Sequence, residues 1–316
     1  MALIEAQSLG KTYGGNRAVD NLSFVVRPGS VTGFLGPNGS GKSTTMRLML
    51  GLDKGDGRTT FDGRTFAELE HPMRHVGALL EAKPFHPTRH ARNHLRMLAV
   101  ANRIPDTRVD EVLEMVGLAS VSDGRPRKFS LGMGQRLGIA AALLGDPHTL
   151  ILDEPSNGLD PQGITGLRTL RQHLAGQGRS VFVSSHLLQE MAVLADELVV
   201  IGRGRMLANG PVADFISHSS IGAVEVSTPD GAVLVPALEA LGATTLSEAS
   251  ASASAGSIVV RGMTAEQVGD AAHAAGVRIH QLVTRTATLE EAFLEATGLS
   301  EEFRASPTKT NGGGSA

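Results

Sequence analysis

The stretch Gly36-Pro37-Asn38-Gly39-Ser40-Gly41-Lys42-Ser43-Thr44 restricts the possible folds of this chain more than any other. Gly, four residues, then Gly-Lys-Ser is phosphate-loop spacing, and the surroundings fit it. Val31 to Leu35 is an apolar run that reads as a strand, and Thr44 to Leu50 reads as a helix. Glycines at 36, 39 and 41 let successive backbone N–H groups turn inward around a polyphosphate, which a Cβ would obstruct. The helix N-terminus adds partial positive charge, Lys42 a full one, and the Ser43 hydroxyl is of the kind that takes a place on Mg²⁺. Asn38, Ser40 and Thr44 complete a polar loop. The unit implies an α/β fold that cradles a nucleoside triphosphate.

A second constellation lies downstream. Thr149-Leu150-Ile151-Leu152 is a continuously apolar strand whose C-terminal end delivers Asp153 and Glu154. Ligands collect at such ends in open parallel sheets. Asp153 can hold Mg²⁺ directly or through water. Glu154, one residue on, points elsewhere and can polarise a water facing a γ-phosphate. Ser180 to Ser184 is another buried strand, followed by Ser185-His186. His186 is either aimed at the same crevice as a γ-phosphate contact or is a helix N-terminal residue without catalytic consequence. Between the two constellations, Ser130-Leu131-Gly132-Met133-Gly134-Gln135-Arg136 opens a helix that runs to Leu144.

The remaining chain supplies boundaries. At 316 residues, two domains are expected. A net charge of −3 argues against a general nucleic-acid field. Cys is absent, which excludes disulfides and thiolate chemistry. The N-terminus carries no signal-peptide pattern, and no apolar run approaches ~18 residues, so no membrane span is expected. Leu3 to Gln7, Arg17 to Asp20 and Leu22 to Val26 read as short strands split by turns, with Tyr13 on a Gly-rich loop. Tyr13 is either a surface for a nucleobase to stack on or a half-exposed loop aromatic. His90 to Gly117 is helical in pattern, and His86, His90 and His94 read as solvated surface histidines rather than a metal set. Glu197 to Ile201 and Arg205 to Ala208 close the first region as strands, and Asn209-Gly210-Pro211 breaks the chain.

From residue 217 the composition shifts to Ala, Ser, Thr and Val. Strands at 223–227, 243–246, 257–261 and 278–284 alternate with helices at 233–241 and 264–276, the second capped by Thr264 with Gln267. The order β-α-β-β-α-β is the ferredoxin-like plan, followed by a last helix at 288–297 and a Gly/Ser-rich tail expected to be disordered.

Taken in order, these motifs resemble those of the ATP-binding cassette family over roughly residues 3–216. Gly36–Thr44 matches its Walker A loop, and Thr149–Asp153 with Glu154 matches Walker B plus the catalytic glutamate. Asn157-Gly158-Leu159-Asp160 matches the D-loop, His186 the switch histidine and Tyr13 the adenine-stacking aromatic. Ser130-Leu131-Gly132-Met133 resembles a signature that in most members reads Leu-Ser-Gly-Gly-Gln, with Leu131 in place of the first Gly and Met133 in place of the Gln. Glu81 stands where the family normally has the Gln that touches Mg²⁺ and leads to the membrane partner. Both departures resemble the bacterial bacitracin- and daunorubicin-resistance branch of exporters.

The resemblance implies a phosphate-loop NTPase core (1–82 and 146–216) with an antiparallel β subdomain, a helical arm (83–145) and a C-terminal α+β accessory domain (217–300). It implies ATP and Mg²⁺ as cofactors, with Ser43, Asp153 and Glu81 near the metal and Lys42, Glu154 and His186 at the reacting phosphate. It further implies a head-to-tail homodimer in which Ser130 and Gly132 of one chain meet the γ-phosphate held by the other, with Asp160 beside it. A separate permease, at the cytoplasmic face of the membrane, would be the partner. An importer subunit, or a cassette ATPase acting on ribosomes or DNA, are the alternatives. A single Walker set without a coiled-coil insertion speaks against the latter.

Overall fold

Strand β1 (Ile4–Tyr13) and β2 (Asn16–Val26) pair antiparallel around the Gly14-Gly15 turn, which brings Tyr13 opposite Asn16. The chain then enters β3 (Val31–Leu35), the loop and α1 (Lys42–Met49), and returns through β4 (Asp56–Phe61) to the other edge of β1. The result is a three-stranded sheet in the order β2-β1-β4. Two long strands replace the short ones expected from sequence, and Tyr13 ends a strand rather than lying on a loop. Bulges make this possible: Ser8 and Asn21 take φ of 52° and 50°, and the β1–β2 register shifts between Ala6 and Leu9. The Ser8 N–H leaves the ladder and donates to Ser23 Oγ at 2.8 Å. The structure, a computed structural model, describes residues 3–81, 85–86, 88–218, 223–247 and 257–285.

The second sheet follows from β5 (Val76–Leu79), β6 (Thr149–Leu152), β7 (Ser180–Ser185), β8 (Glu197–Gly202) and β9 (Arg205–Pro211), in the order β5-β6-β7-β3-β8-β9. All its pairings are parallel except β8–β9. Every residue of β3, β6 and β7 is buried, as strands covered on both faces require. Strand β9 continues through Asn209-Gly210-Pro211 instead of breaking there. It lies at the sheet edge, where the missing proline N–H costs no ladder bond. The two sheets share a core centred on Phe24, Phe34 and Phe182, whose ring centroids lie 5.0–5.8 Å apart.

Register decides where the chemistry lies. Leu152 pairs with Val183 and Leu35 with Ser185. The phosphate loop, Asp153-Glu154 and Ser184-Ser185-His186 therefore leave three neighbouring strands at the same sheet edge.

Between β5 and β6 run α2 (Ala91–Ala101), α3 (Thr107–Met115) and α4 (Leu131–Leu143). The expected helical stretch 90–117 breaks at Arg103, with φ 53°, just before Pro105. His94 is not on the surface. It is 5% exposed, next to Leu95 on the buried face of α2, with its ring 6.2 Å from that of Phe85. Burial, helped by the nearby Arg89 charge, holds its pKa below the ordinary value. The unfolded chain therefore takes up this proton first as pH falls. The stability is present above about pH 6.5 and drains away below it, by at most ~1.4 kcal/mol per pH unit. Urea denaturation at pH 7.5 and 5.5 should show this loss in the native protein and a smaller one in His94→Leu. Among the described residues, no group of three or more His, Cys, Asp or Glu could hold a metal.

Helix α5 (Pro161–Gly176) joins β6 to β7, and α6 (Leu188–Leu194) follows β7. The chain divides into two units at Val212/Ala213. Helix α7 (Val212–His218) leads into the second, which contains β10 (Ala223–Ser227), α8 (Gly231–Ala240), β11 (Thr244–Ser247), β12 (Ser257–Arg261), α9 (Ala265–Ala274) and β13 (Gln281–Arg285). Its antiparallel sheet runs β11-β12-β10-β13, the ferredoxin-like order. Val224, Val226, Ile258 and Val260 pack on Leu234, Leu238, Val268 and Ala272 to form its core. The capping box of Thr264 and Gln267 is present. Strand β13 starts later than expected, because Arg278 is held by Asp230, with Nε 3.1 Å from Oδ2. The helix at 288–297, the Ser/Ala loop 249–256 and the tail lie outside the described residues.

Candidate active site

Strand β3 delivers the chain into a loop whose last residue, Gly41, has φ 105° and serves as N-cap of α1. Only glycine suits this position. The conformation is left-handed, and a Cβ would lie 2.5 Å from Ala18 O. Helix α1 has no side-chain cap and no acidic residue in its first turn, so its leading N–H groups face outward without an internal acceptor. The starts of α4 and α5 differ. Ser130 Oγ accepts the Met133 N–H at 3.2 Å, and Asp160 Oδ1 accepts the Gly163 N–H at 2.8 Å. Of these three helix starts, the one at the glycine loop is built for an external anion. A cleft of about 220 Å³ opens there, lined by the loop residues Asn38, Gly39, Gly41, Lys42, Ser43 and Thr44, with Ala18 and Glu154.

Lys42 is 6% exposed and folds back on its own loop, donating to Gly36 O at 2.6 Å and Pro37 O at 3.3 Å. Its ammonium lies 3.4 Å from Glu154 Oε1. The other oxygen, Oε2, lies 2.8 Å from His186 Nδ1. A carboxylate only accepts, so Nδ1 carries the shared proton. Cation, carboxylate and imidazole thus converge from three separate segments. Ser40 Oγ is buried without a partner in the same loop.

The carboxylate pair is held firmly. The Asp153 N–H donates to Leu79 O at 2.7 Å, extending the β5–β6 pairing by one residue. Glu154 then turns out of the strand with φ 46°, a left-handed conformation unusual for this residue type. Ser184 Oγ anchors both residues, accepting the Glu154 N–H at 2.8 Å and donating to Asp153 Oδ1 at 2.5 Å. Gln135 of α4, 1% exposed, donates to Glu154 O at 3.2 Å. Sequence reasoning missed Ser184 and Gln135. A serine among strand residues and a glutamine inside an apolar helix carry no signal until the neighbouring segment is known.

Other expected site residues stand apart from the cleft. Asp153 and Glu81 do not line it. Glu81 is exposed beyond the end of β5, and its charge acts on Arg47 of α1. Gly132 sits against the D-loop, where a Cβ would be 2.7 Å from Gly158 O. The Tyr13 hydroxyl donates to Asp53 Oδ2 at 2.9 Å, which pushes the phenol pKa up. Asp53 is held below the usual carboxylate range, first by Arg47 (Nε–Oδ2 3.0 Å) and then by Tyr13. The ring is 46% exposed with Lys11 Nζ 4.8 Å from its centroid, so its orientation is fixed while ring surface stays open.

Known proteins are similar to this chain in sequence and fold. A family model described as ABC transporter matches residues 19–157, and one described as a domain of unknown function matches residues 222–290. An uncharacterized ABC transporter ATP-binding protein of Bacillus subtilis (strain 168), YhcH, is 34% identical over 309 residues, covering 95% of this chain and 97% of that protein. The bacitracin transport ATP-binding protein BcrA of Bacillus licheniformis is 42% identical over 213 residues, 66% of this chain and 70% of the relative. A dimeric ATP-binding cassette solved in a post-hydrolysis state with ADP and Pi shares the fold at TM-score 0.60 and 22% identity, covering 66% of this chain and 98% of that one. The chain belongs to the ATP-binding subunits of ABC transporters, ATPases built on this cassette. Among the described residues, no helix is long and apolar enough to cross a membrane.

Proposed function

We propose that this chain powers a separate transmembrane permease that exports a drug, antibiotic or peptide, working at the cytoplasmic face of the membrane. The convergence of Lys42, Glu154 and His186 at the uncapped start of α1 carries this reading. The name of the bacitracin-transport relative supports the cargo class.

In this reading the polyphosphate of ATP lies in the loop 36–44, taking the free N–H groups of α1. Lys42 exchanges the carbonyls of Gly36 and Pro37 for β- and γ-phosphate oxygens, a charge-assisted contact stronger than the one it leaves. Losing Lys42 frees Glu154 Oε1, which accepts a proton from a water placed in line with the γ-phosphate. His186 keeps Glu154 oriented through Nδ1–H. Ser43 and Asp153 would hold Mg²⁺, a hydroxyl and a carboxylate being the hard oxygen donors such an ion takes. When bound, it would neutralise charge on the β- and γ-phosphates. Tyr13 stacks on adenine, so Tyr13→Ala should weaken ATP about 5- to 150-fold in a fluorescence titration, as the loss of ~1–3 kcal/mol of stacking requires.

Two chains meet head to tail, each adding Ser130, Gly132 and the D-loop at Asp160 to the other's nucleotide. Ser130 Oγ accepts from Met133 N, which leaves its O–H free to donate to a γ-phosphate. Residues 1–216 form the cassette, the arm 83–145 and the surface near Glu81 face the permease, and 217–300 brace the dimer. The test is Mg-ATPase activity of the purified chain with candidate permeases reconstituted in lipid. Stimulation by one permease, and further by a drug-like substrate, supports the reading. Activity unmoved by any permease but raised by ribosomes or DNA would replace it with the other cassette role.

A further inference from the structure

Arg171, in the body of α5, has one of the largest fully buried side chains in the molecule at 2% exposure. A guanidinium has five N–H donors, and burying one is costly unless they are satisfied. Here Nε donates to Leu167 O at 3.3 Å, within its own helix, and Nη2 is buried without a hydrogen-bond partner. Burial lowers the pKa to about 10 while the charge of Glu190 on α6 raises it. The group therefore stays a cation at neutral pH.

Glu190 has two further ties. Its Oε2 accepts Ser156 Oγ at 2.7 Å and Ser185 Oγ at 3.2 Å. Ser156 lies two residues after Glu154, and Ser185 immediately precedes His186. Ser185 Oγ also accepts the Leu187 N–H at 3.0 Å, which fixes the turn through His186. One carboxylate thus fastens together the two segments that bring Glu154 and His186 within 2.8 Å of each other.

We propose that Glu190 is a positioning residue for hydrolysis: it clamps the loop after Glu154 to the loop carrying His186 and so holds that pair in register. The proposal rests on the reading of Glu154 as the base. Glu190 touches neither nucleotide nor water in this scheme and acts only through Ser156 and Ser185. Its loss should leave the glycine loop, and hence nucleotide binding, intact. Displacing a reacting group by about 1 Å costs turnover on the order of 10²-fold.

The experiment measures Mg-ATPase kinetics, ATP affinity and melting temperature on the full chain. Glu190→Ala should cut kcat about 30- to 100-fold with KM for ATP changed less than about 3-fold. Glu190→Gln should fall between this variant and the native protein, because its amide oxygen still accepts hydroxyl protons. The double variant Ser156→Ala/Ser185→Ala should lose about as much as Glu190→Ala, and the triple variant no more. Turnover in Glu190→Ala within twofold of native would overturn the clamp. So would kcat and KM changing together in proportion to lost stability. If Glu190→Ala does not fold, the serine pair decides, since it leaves the carboxylate itself in place. Full turnover in Glu154→Gln would remove the base assignment itself. An inactive Glu154→Gln beside a fully active Glu190→Ala would remove only the clamp.

Discussion

Glu154→Gln should bind ATP at least as tightly as the native chain and turn it over about 10²- to 10⁴-fold more slowly. The amide has the shape of the carboxylate but cannot take the proton of an attacking water. It can still accept from His186 Nδ1, so the 2.8 Å contact need not be lost. The negative charge that stands 3.4 Å from Lys42, and would stand beside a polyphosphate, disappears. Affinity should therefore rise rather than fall, and ATP-loaded dimer should accumulate in sedimentation because hydrolysis no longer reopens it. Full turnover in this variant would rule out Glu154 as the general base.

Lys42→Ala should weaken ATP by about 100-fold or more, enough to abolish binding at ordinary concentrations. Two charge-assisted bonds to phosphate, at ~1.5–3 kcal/mol each, are lost together. The lesion lies in binding rather than folding. Helix α1 keeps its hydrogen bonds, and Lys42 is held by loop carbonyls that solvent or a ligand can satisfy. Melting temperature and calorimetric titration on the same preparation separate the two effects. Unchanged affinity would contradict the phosphate-loop reading.

The parts legible in sequence are those where one local segment dictates its own geometry. The glycine loop is one, since its spacing encodes backbone shape as well as chemistry. The buried strands are another: β3, β6 and β7 read as apolar runs because both faces are covered. The second unit was readable from its alternating strands and the Thr264 capping box.

Where the outcome depends on a distant neighbour, the sequence was silent. The fork of Glu154 between Lys42 and His186 requires β7 to lie between β6 and β3, and strand order is not written in any one segment. Ser184, Gln135 and Glu190 matter through partners 19 to 34 positions away, and Arg171 through burial. His94 was misread because arguments against a metal set at His86, His90 and His94 say nothing of which helix face each residue occupies. Ala91, Leu95 and Ala99 in fact turn this side of α2 inward. Bulges at Ser8 and Asn21 left no mark beyond small polar residues that tolerate a positive φ.

The altered signature has a structural counterpart. Leu131 leans on Gly158 of the D-loop, where a Cβ would lie 2.3 Å from Leu131 Cδ2. Gly158 also has φ 76°, so glycine is required there on both counts. A leucine in place of the usual signature glycine fits because Gly158 has no side chain on the face it meets.

A crystal structure of the full chain with Mg²⁺ and a non-hydrolysable ATP analogue tests the site most directly. The phosphates should lie in the loop 36–44, with Lys42 Nζ moved from Gly36 O and Glu154 onto phosphate oxygens and Glu154 still within hydrogen-bond reach of His186. A nucleotide bound elsewhere, or a Lys42–Glu154 ion pair left in place beneath bound phosphates, would contradict it.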